Sequence, residues 1–158
     1  MVETATIISD SVIFIRNFLR GEITDPLGAK RTDKQVDGDT FILSGYSKKS
    51  TVYPIITVRK SNFILGQRLG MQTEKYYATL EIEIRIWARN EKERDVLTDS
   101  VMTKLNDNQF PTGTTDTSSN VGLHDFKILS VVGVDNPHGE NGVLSSIITI
   151  QNKFLYGF

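Results

Sequence analysis

The sequence predicts a single α+β domain: a mixed, mostly antiparallel β-sheet with an N-terminal helix and a second helix, about residues 91–105, packed on one face. Three observations predict it. The run Tyr76–Arg89 alternates apolar and polar residues over an unusual length. A capped amphipathic run follows it directly, from Asn90 to Leu105. Two further strand-like runs, Leu123–Val134 and Val143–Tyr156, flank the turn-rich stretch DNPHGENG. Strands then helix then strands, without a repeating βα unit, is the pattern of an α+β fold.

Taken in order, residues 4–20 read as an amphipathic helix. Thr4, Thr6 or Ser9 supplies a cap, and Ile8, Val12, Ile15 and Leu19 recur at near-helical spacing, with Ile7, Phe14 and Phe18 widening the stripe. Gly21 is expected to stop it, with Arg16 and Arg20 near the negative end of its dipole. Residues 21–40 are polar and contain Pro26, Gly28 and Gly38, which reads as a long loop or an arm that orders against a neighbour. Phe41–Leu43 reads as a short strand and Val52–Lys60 as a longer one. Pro54 cannot donate to a ladder, so it belongs at the start or on an edge. Residues 61–75 contain Gly66 and Gly70 and no clean period, so they read as a hairpin-like excursion, whose Phe63, Ile64, Leu65, Leu69 and Met71 either pack as a flap on the domain or contact a partner.

The long strand carries the strongest signal. Ala78, Leu80, Ile82, Ile84, Ile86 and Ala88 alternate with Thr79, Glu81, Glu83, Arg85, Trp87 and Arg89. Side chains on a strand point alternately to opposite faces, so one face is aliphatic and the other polar. The helix begins with Asn90 as N-cap and Glu93 three residues on, as in a capping box. Leu97, Val101 and Leu105, with Met102 beside them, form the stripe expected to cover the aliphatic strand face. Residues 106–122 read as loop. The domain therefore spans 1–158 with long loops at 21–40, 61–75 and 106–122.

Composition narrows the function classes. At 158 residues and 39% hydrophobic, the chain is long and apolar enough for one packed core. A net charge of −1 provides no bulk attraction for nucleic acid or anionic membrane. Cysteine is absent, which excludes disulfides, thiol nucleophiles and thiolate metal sites and fits a reducing compartment. Apolar runs fall well short of the roughly 20 residues that span a bilayer. MVETATIISD has no basic segment before an apolar one, so no signal peptide is expected.

No catalytic or metal-binding set is visible. His124 at a strand start and His138 in a turn read as solvated or hydrogen-bonded side chains. Glu81 and Glu83 share a strand face as paired carboxylates do in acid–base sites, but Arg85 beside them makes a charge-balanced sheet surface. GQRLG at 66–70 lacks the ending of a phosphate loop. Lys48, Lys49, Arg59 and Lys60 are too sparse for nucleic-acid readout. Trp87, on the polar face, reads either as a cover for the sheet edge or as an interface anchor.

YPIITV at Tyr53–Val58, followed by EIEIRIWARNEKERDVLTDSV at Glu81–Val101, resembles the tail terminator (tail completion, head–tail joining) proteins of long-tailed phages and related archaeal viruses. The matching residues are Ile84, Ile86, Trp87, Ala88, Asn90, Glu91, Glu93, Arg94, Asp95 and Leu97, and the likeness covers about half the chain. The resemblance implies a structural virion protein, not an enzyme, without cofactor or metal. It implies a hexameric ring that caps the tail tube, stops its polymerisation and joins it to the head connector. The implied partners are copies of the chain, the tail tube protein, the connector or stopper protein, and DNA passing through the channel without sequence-specific binding; no membrane is involved. The implied location is the neck of the virion, after assembly in the host cytoplasm. The candidate interface or channel residues are Trp87, Arg85, Glu81, Glu83 and Arg89. The long strand itself is expected to lend an edge to the next copy. Other readings are a head-completion or adaptor protein of the same neck, a small enzyme using the Glu81/Glu83 face, and a monomeric ligand-binding domain.

Overall fold

A computed structural model describes residues 7–28, 41–44, 52–68, 70, 75–107, 124–134 and 144–157. The elements run α1 (Ile7–Glu22), β1 (Ile42–Leu43), β2 (Ile55–Arg68), β3 (Lys75–Ala88), α2 (Glu91–Asp107), β4 (His124–Val134) and β5 (Leu144–Gly157). They form one five-stranded sheet in the order β1-β2-β3-β5-β4, with two helices. β1 pairs parallel with β2 and every other pairing is antiparallel, so the predicted α+β class with a mixed sheet holds.

The alternation in β3 is the basis of the core. Ala78, Leu80, Ile82, Ile84, Ile86 and Ala88 are all at most 1% exposed. Their cross-strand partners on the same face include Ile56 and Val58 of β2 and Ile148 and Ile150 of β5, also buried. Both helices cover this face: α1 lies over β1 and β2, and α2 lies over β3 and β5. α2 contributes Leu97, Val101 and Leu105, each worth roughly 1.5–3 kcal/mol when fully buried. α1 contributes Ile15 and Leu19, with Ile8, Val12, Phe14 and Phe18 packed alongside.

The joint between β3 and α2 is built by the residues that predicted it. Asn90 Oδ1 accepts the Glu93 N–H at 2.9 Å, the expected N-cap bond. The return arm of the capping box is displaced by one residue. Glu93 accepts the Arg89 N–H at 3.1 Å rather than that of Asn90, and its carboxylate also pairs with the Arg89 guanidinium.

Several sequence expectations are corrected. Helix α1 runs through Gly21 to Glu22, because Ile23 caps its end by returning an N–H to the Leu19 carbonyl at 2.8 Å and is itself buried. The loop expected at 21–40 therefore starts only after Glu22, and residues 29–40 lie outside the described residues. Asn106 and Asp107 belong to α2, while the rest of the loop expected at 106–122 lies outside the described residues.

The largest correction is at 61–75. Residues 61–68 continue β2 instead of forming a flap. A bulge after Lys60 inserts one extra residue, since Lys60 faces Ile82 and Asn62 already faces Glu81. The extra residue breaks the period-2 pattern that would have identified the strand. Gly66, which read as a turn residue, sits in the strand beside Tyr77, where a Cβ would lie 2.9 Å from the Tyr77 carbonyl oxygen. Pro54 sits immediately before β2, as expected, with a cis bond from Tyr53.

A polar side chain on the core face of β5 breaks the apolar pattern. Asn152, opposite Leu80, is 1% exposed, and its Nδ2 has no hydrogen-bond partner among the described residues. An unsatisfied buried donor costs about 1–3 kcal/mol. Asn152→Leu is expected to raise stability by about that amount, read as a higher urea midpoint at unchanged slope. A lower midpoint would show that the amide is satisfied in solution.

Candidate interaction face

The second face of the sheet carries the residues singled out in the sequence. Register places them in rows across three strands. Trp87 lies between Ile55 and Ser145, Arg85 between Thr57 and Ile147, Glu83 between Arg59 and Thr149, and Glu81 between Asn62 and Gln151. No helix of the described residues packs here, because both helices cover the opposite side.

Arg85 and Trp87 form the centre of this face. The Arg85 guanidinium stacks over the indole, 4.1 Å from the ring centroid. Its Nε and Nη2 donate to Ser145 Oγ at 3.3 and 3.1 Å. Trp87 Nε1 donates to Thr57 Oγ1 at 3.3 Å, and the Thr57 hydroxyl reaches the Arg85 carbonyl at 3.5 Å. The Ser145 hydroxyl in turn reaches the Val134 carbonyl at 3.5 Å. One network thus crosses β2, β3, β5 and β4. Thr57 and Ser145 are buried beneath it, while Trp87 and Arg85 are half-buried.

Glu83 pairs with Arg59 across the β2–β3 ladder at 3.0 Å. Arg59 is 60% exposed on its side chain, so the pair is solvent-screened and contributes less than about 1 kcal/mol. It sets a positive charge beside the carboxylate on this face. The face is therefore charge-balanced, as the alternation of Glu81, Glu83 and Arg85 predicts.

Arg89 does not join this group. β3 ends at Ala88, and the Arg89 guanidinium turns to Glu93 in the first turn of α2. The hydrogen bond to Glu93 raises its already high pKa, burial opposes the rise and the charge of Glu93 adds to it. Arg89 is a clamp on the strand–helix joint, not a member of the sheet face.

Thr57, Arg59 and Ser145 are the members that sequence reading missed. Each lies on another strand, and only the register reveals that it faces Arg85, Glu83 or Trp87. In the sequence Arg59 groups with Lys60, whose backbone position falls on the opposite face, opposite Ile82. Lys48, Lys49 and His138 lie outside the described residues, and His124 opens β4 as expected.

Among the described residues no cluster of three or more His, Asp or Glu side chains has metal-binding geometry. No helix among them is long and apolar enough to cross a membrane. The sequence matches no known family, and no curated protein matches it significantly.

Proposed function

We propose that this chain is a structural ring protein of a viral neck, a tail terminator that assembles as a hexamer on the end of the tail tube. The observation that carries the reading is the sheet's second face. It is polar, internally bonded and charge-balanced around Arg85, Trp87 and the Arg59–Glu83 pair, which suits a building surface rather than a reaction centre. The residues of the family resemblance supply a second support. Ile84 and Ile86 are core, Asn90 and Glu93 cap α2, and Leu97 anchors it, so the likeness falls on the joint that shapes the subunit.

In this reading the ring stops tube polymerisation and offers its outer end to the head connector. DNA passes through a channel without sequence-specific contact, which a near-neutral chain allows. A head-to-tail ring joins two different patches of each subunit. The test is native mass spectrometry of the purified protein, followed by electron microscopy with tail tubes. Six-membered rings seated on tube ends support the proposal. A protein that stays monomeric and leaves tubes uncapped overturns it, and rings that bind the head portal instead of the tube identify an adaptor of the same neck.

Trp87 gives a residue-level check. Trp87→Phe is expected to destabilise the monomer by about 0.5–1.5 kcal/mol, the contribution of one indole hydrogen bond. Trp87→Ala also removes the platform under Arg85 and is expected to reduce the ring fraction more than it lowers the melting temperature. A large melting shift with rings intact would make Trp87 a purely internal residue.

A further inference from the structure

Among the described residues, five of the eight exposed large hydrophobic side chains lie on just two strands, which makes those strands the place to look for a covering partner. They are Ile64 (47%) and Leu65 (41%) on β2, and Leu129 (42%), Val131 (39%) and Val132 (51%) on β4. These same two strands have uncovered edges among the described residues. β4 ends the sheet, and β1 covers β2 only at Ile56 and Thr57. β3, expected to lend its own edge to a neighbour, cannot do so, because β2 and β5 flank it along its length.

An apolar edge strand is a template for another strand unless charge or proline blocks it. The stretch ILSVVGV at 128–134 contains neither. β4 is also regular from Ser130 to Val134, past its last irregularity.

The two edges fit each other. β2, β3, β5 and β4 alternate in direction, so β4 runs antiparallel to β2. A second copy rotated about an axis along the strands presents its β2 antiparallel to β4 of the first. Ile64 pairs with Thr79 and Val132 with Ile147, which puts both on the open face. Leu65 pairs with Ala78 and Val131 with Ile148, which puts both on the helix face. A single antiparallel register sets Ile64 opposite Val132 and Leu65 opposite Val131 at once. The backbone agrees. Ile56 N–H points outward to the Phe41 carbonyl at 2.8 Å. Alternation carried across the unbroken β3–β5 register then makes the helix-face residues of both β2 and β4 the outward-bonding ones. Leu65 and Val131 would exchange hydrogen bonds, and Ile64 and Val132 would form the closer, non-bonded pair.

We propose that β4 of one copy adds antiparallel to β2 of the next, with Val131 against Leu65 and Val132 against Ile64, so that the sheet continues from subunit to subunit. The proposal rests on the ring reading for its occupant, a second copy, and on the two strands for its geometry. A two-fold β4–β4 dimer is the competing arrangement, and it leaves Ile64 and Leu65 uncovered.

The chain has no cysteine, so engineered thiols report cleanly. Non-bonded antiparallel pairs bring Cα atoms to about 4.5 Å, within disulfide range. Ile64→Cys and Val132→Cys are made separately, checked for folding by circular dichroism, and oxidised alone and mixed. Each alone is expected to stay uncross-linked, the mixture to give a dimer, and the double variant to give a ladder of multimers. Val132→Lys, at a half-exposed site, is expected to weaken assembly by about tenfold or more with the monomer melt unchanged. A dimer from Val132→Cys alone overturns the proposal in favour of the two-fold pairing. No disulfide from the mixture overturns it outright. A ladder without tube capping keeps the strand pairing and removes the neck role. Rings that cap tubes without a disulfide keep the neck role and remove the strand pairing.

Discussion

Ile84→Ala is expected to destabilise the protein by about 2–5 kcal/mol, the range for truncating a fully buried aliphatic side chain. Ile84 is 0% exposed and sits in the middle strand. Val58 faces it from one side and Ile148 from the other, both also 0% exposed. It belongs to the same core cluster as Leu97 and Val101 of α2. With partners on every side the cavity has little to collapse into, so most of the cost persists. Glu83→Ala, one residue away on the other face, is expected to cost less than about 1 kcal/mol, because its partner Arg59 is largely in solvent. Urea unfolding of the two variants checks both values. A small loss at Ile84, or a large one at Glu83, would mean that the two faces of β3 do not divide the energy in this way.

The second large effect is expected at a buried pair of hydroxyls that joins α2 to β5. Thr98 Oγ1 donates to the Arg94 carbonyl at 2.7 Å and lies 2.6 Å from Ser146 Oγ. Both residues are buried, at 8% and 3% exposure. Thr98→Val keeps the shape but strands the Ser146 hydroxyl, at a cost of about 1–3 kcal/mol. Adding Ser146→Ala removes the stranded group and is expected to recover most of that loss. A double-mutant cycle reads the coupling directly. Strict additivity of the two single changes would show that the hydroxyls do not interact.

That pair also marks how far the sequence could be read. Thr98 lies next to the recognised stripe of Leu97, Val101 and Leu105, and Ser146 lies in a recognised strand. Their meeting depends on where α2 crosses the sheet, which no periodicity reports. The candidate face shows the same limit. Glu81, Glu83, Arg85 and Trp87 were readable as neighbours because they alternate on one strand. Thr57, Arg59 and Ser145 belong to the same face through pairings with other strands, at separations of 24 to 60 residues in Arg59–Glu83, Trp87–Thr57 and Arg85–Ser145. Arg89 followed the alternation on paper and left it in space, because the strand ends at Ala88 and Glu93 competes for its guanidinium.

The two-faced strand β3, the cap and stripe of α2, the terminal hairpin and the apolar stripe of α1 can all be read from the chain. Each is a local pattern set by side-chain alternation, helical spacing or turn chemistry within a dozen or so residues. The folded chain was needed to see that β3 lies in the centre of the sheet rather than at its margin, that β2 runs on through a bulge to Arg68, and that, among the described residues, β2 and β4 carry the open edges. The physical reason is that strand order and register are fixed by long-range pairing of backbone groups, and every residue type carries the same amide and carbonyl. A bulge shifts that pairing by one residue, which is enough to move Phe63 and Leu65 to one face and Ile64 to the other.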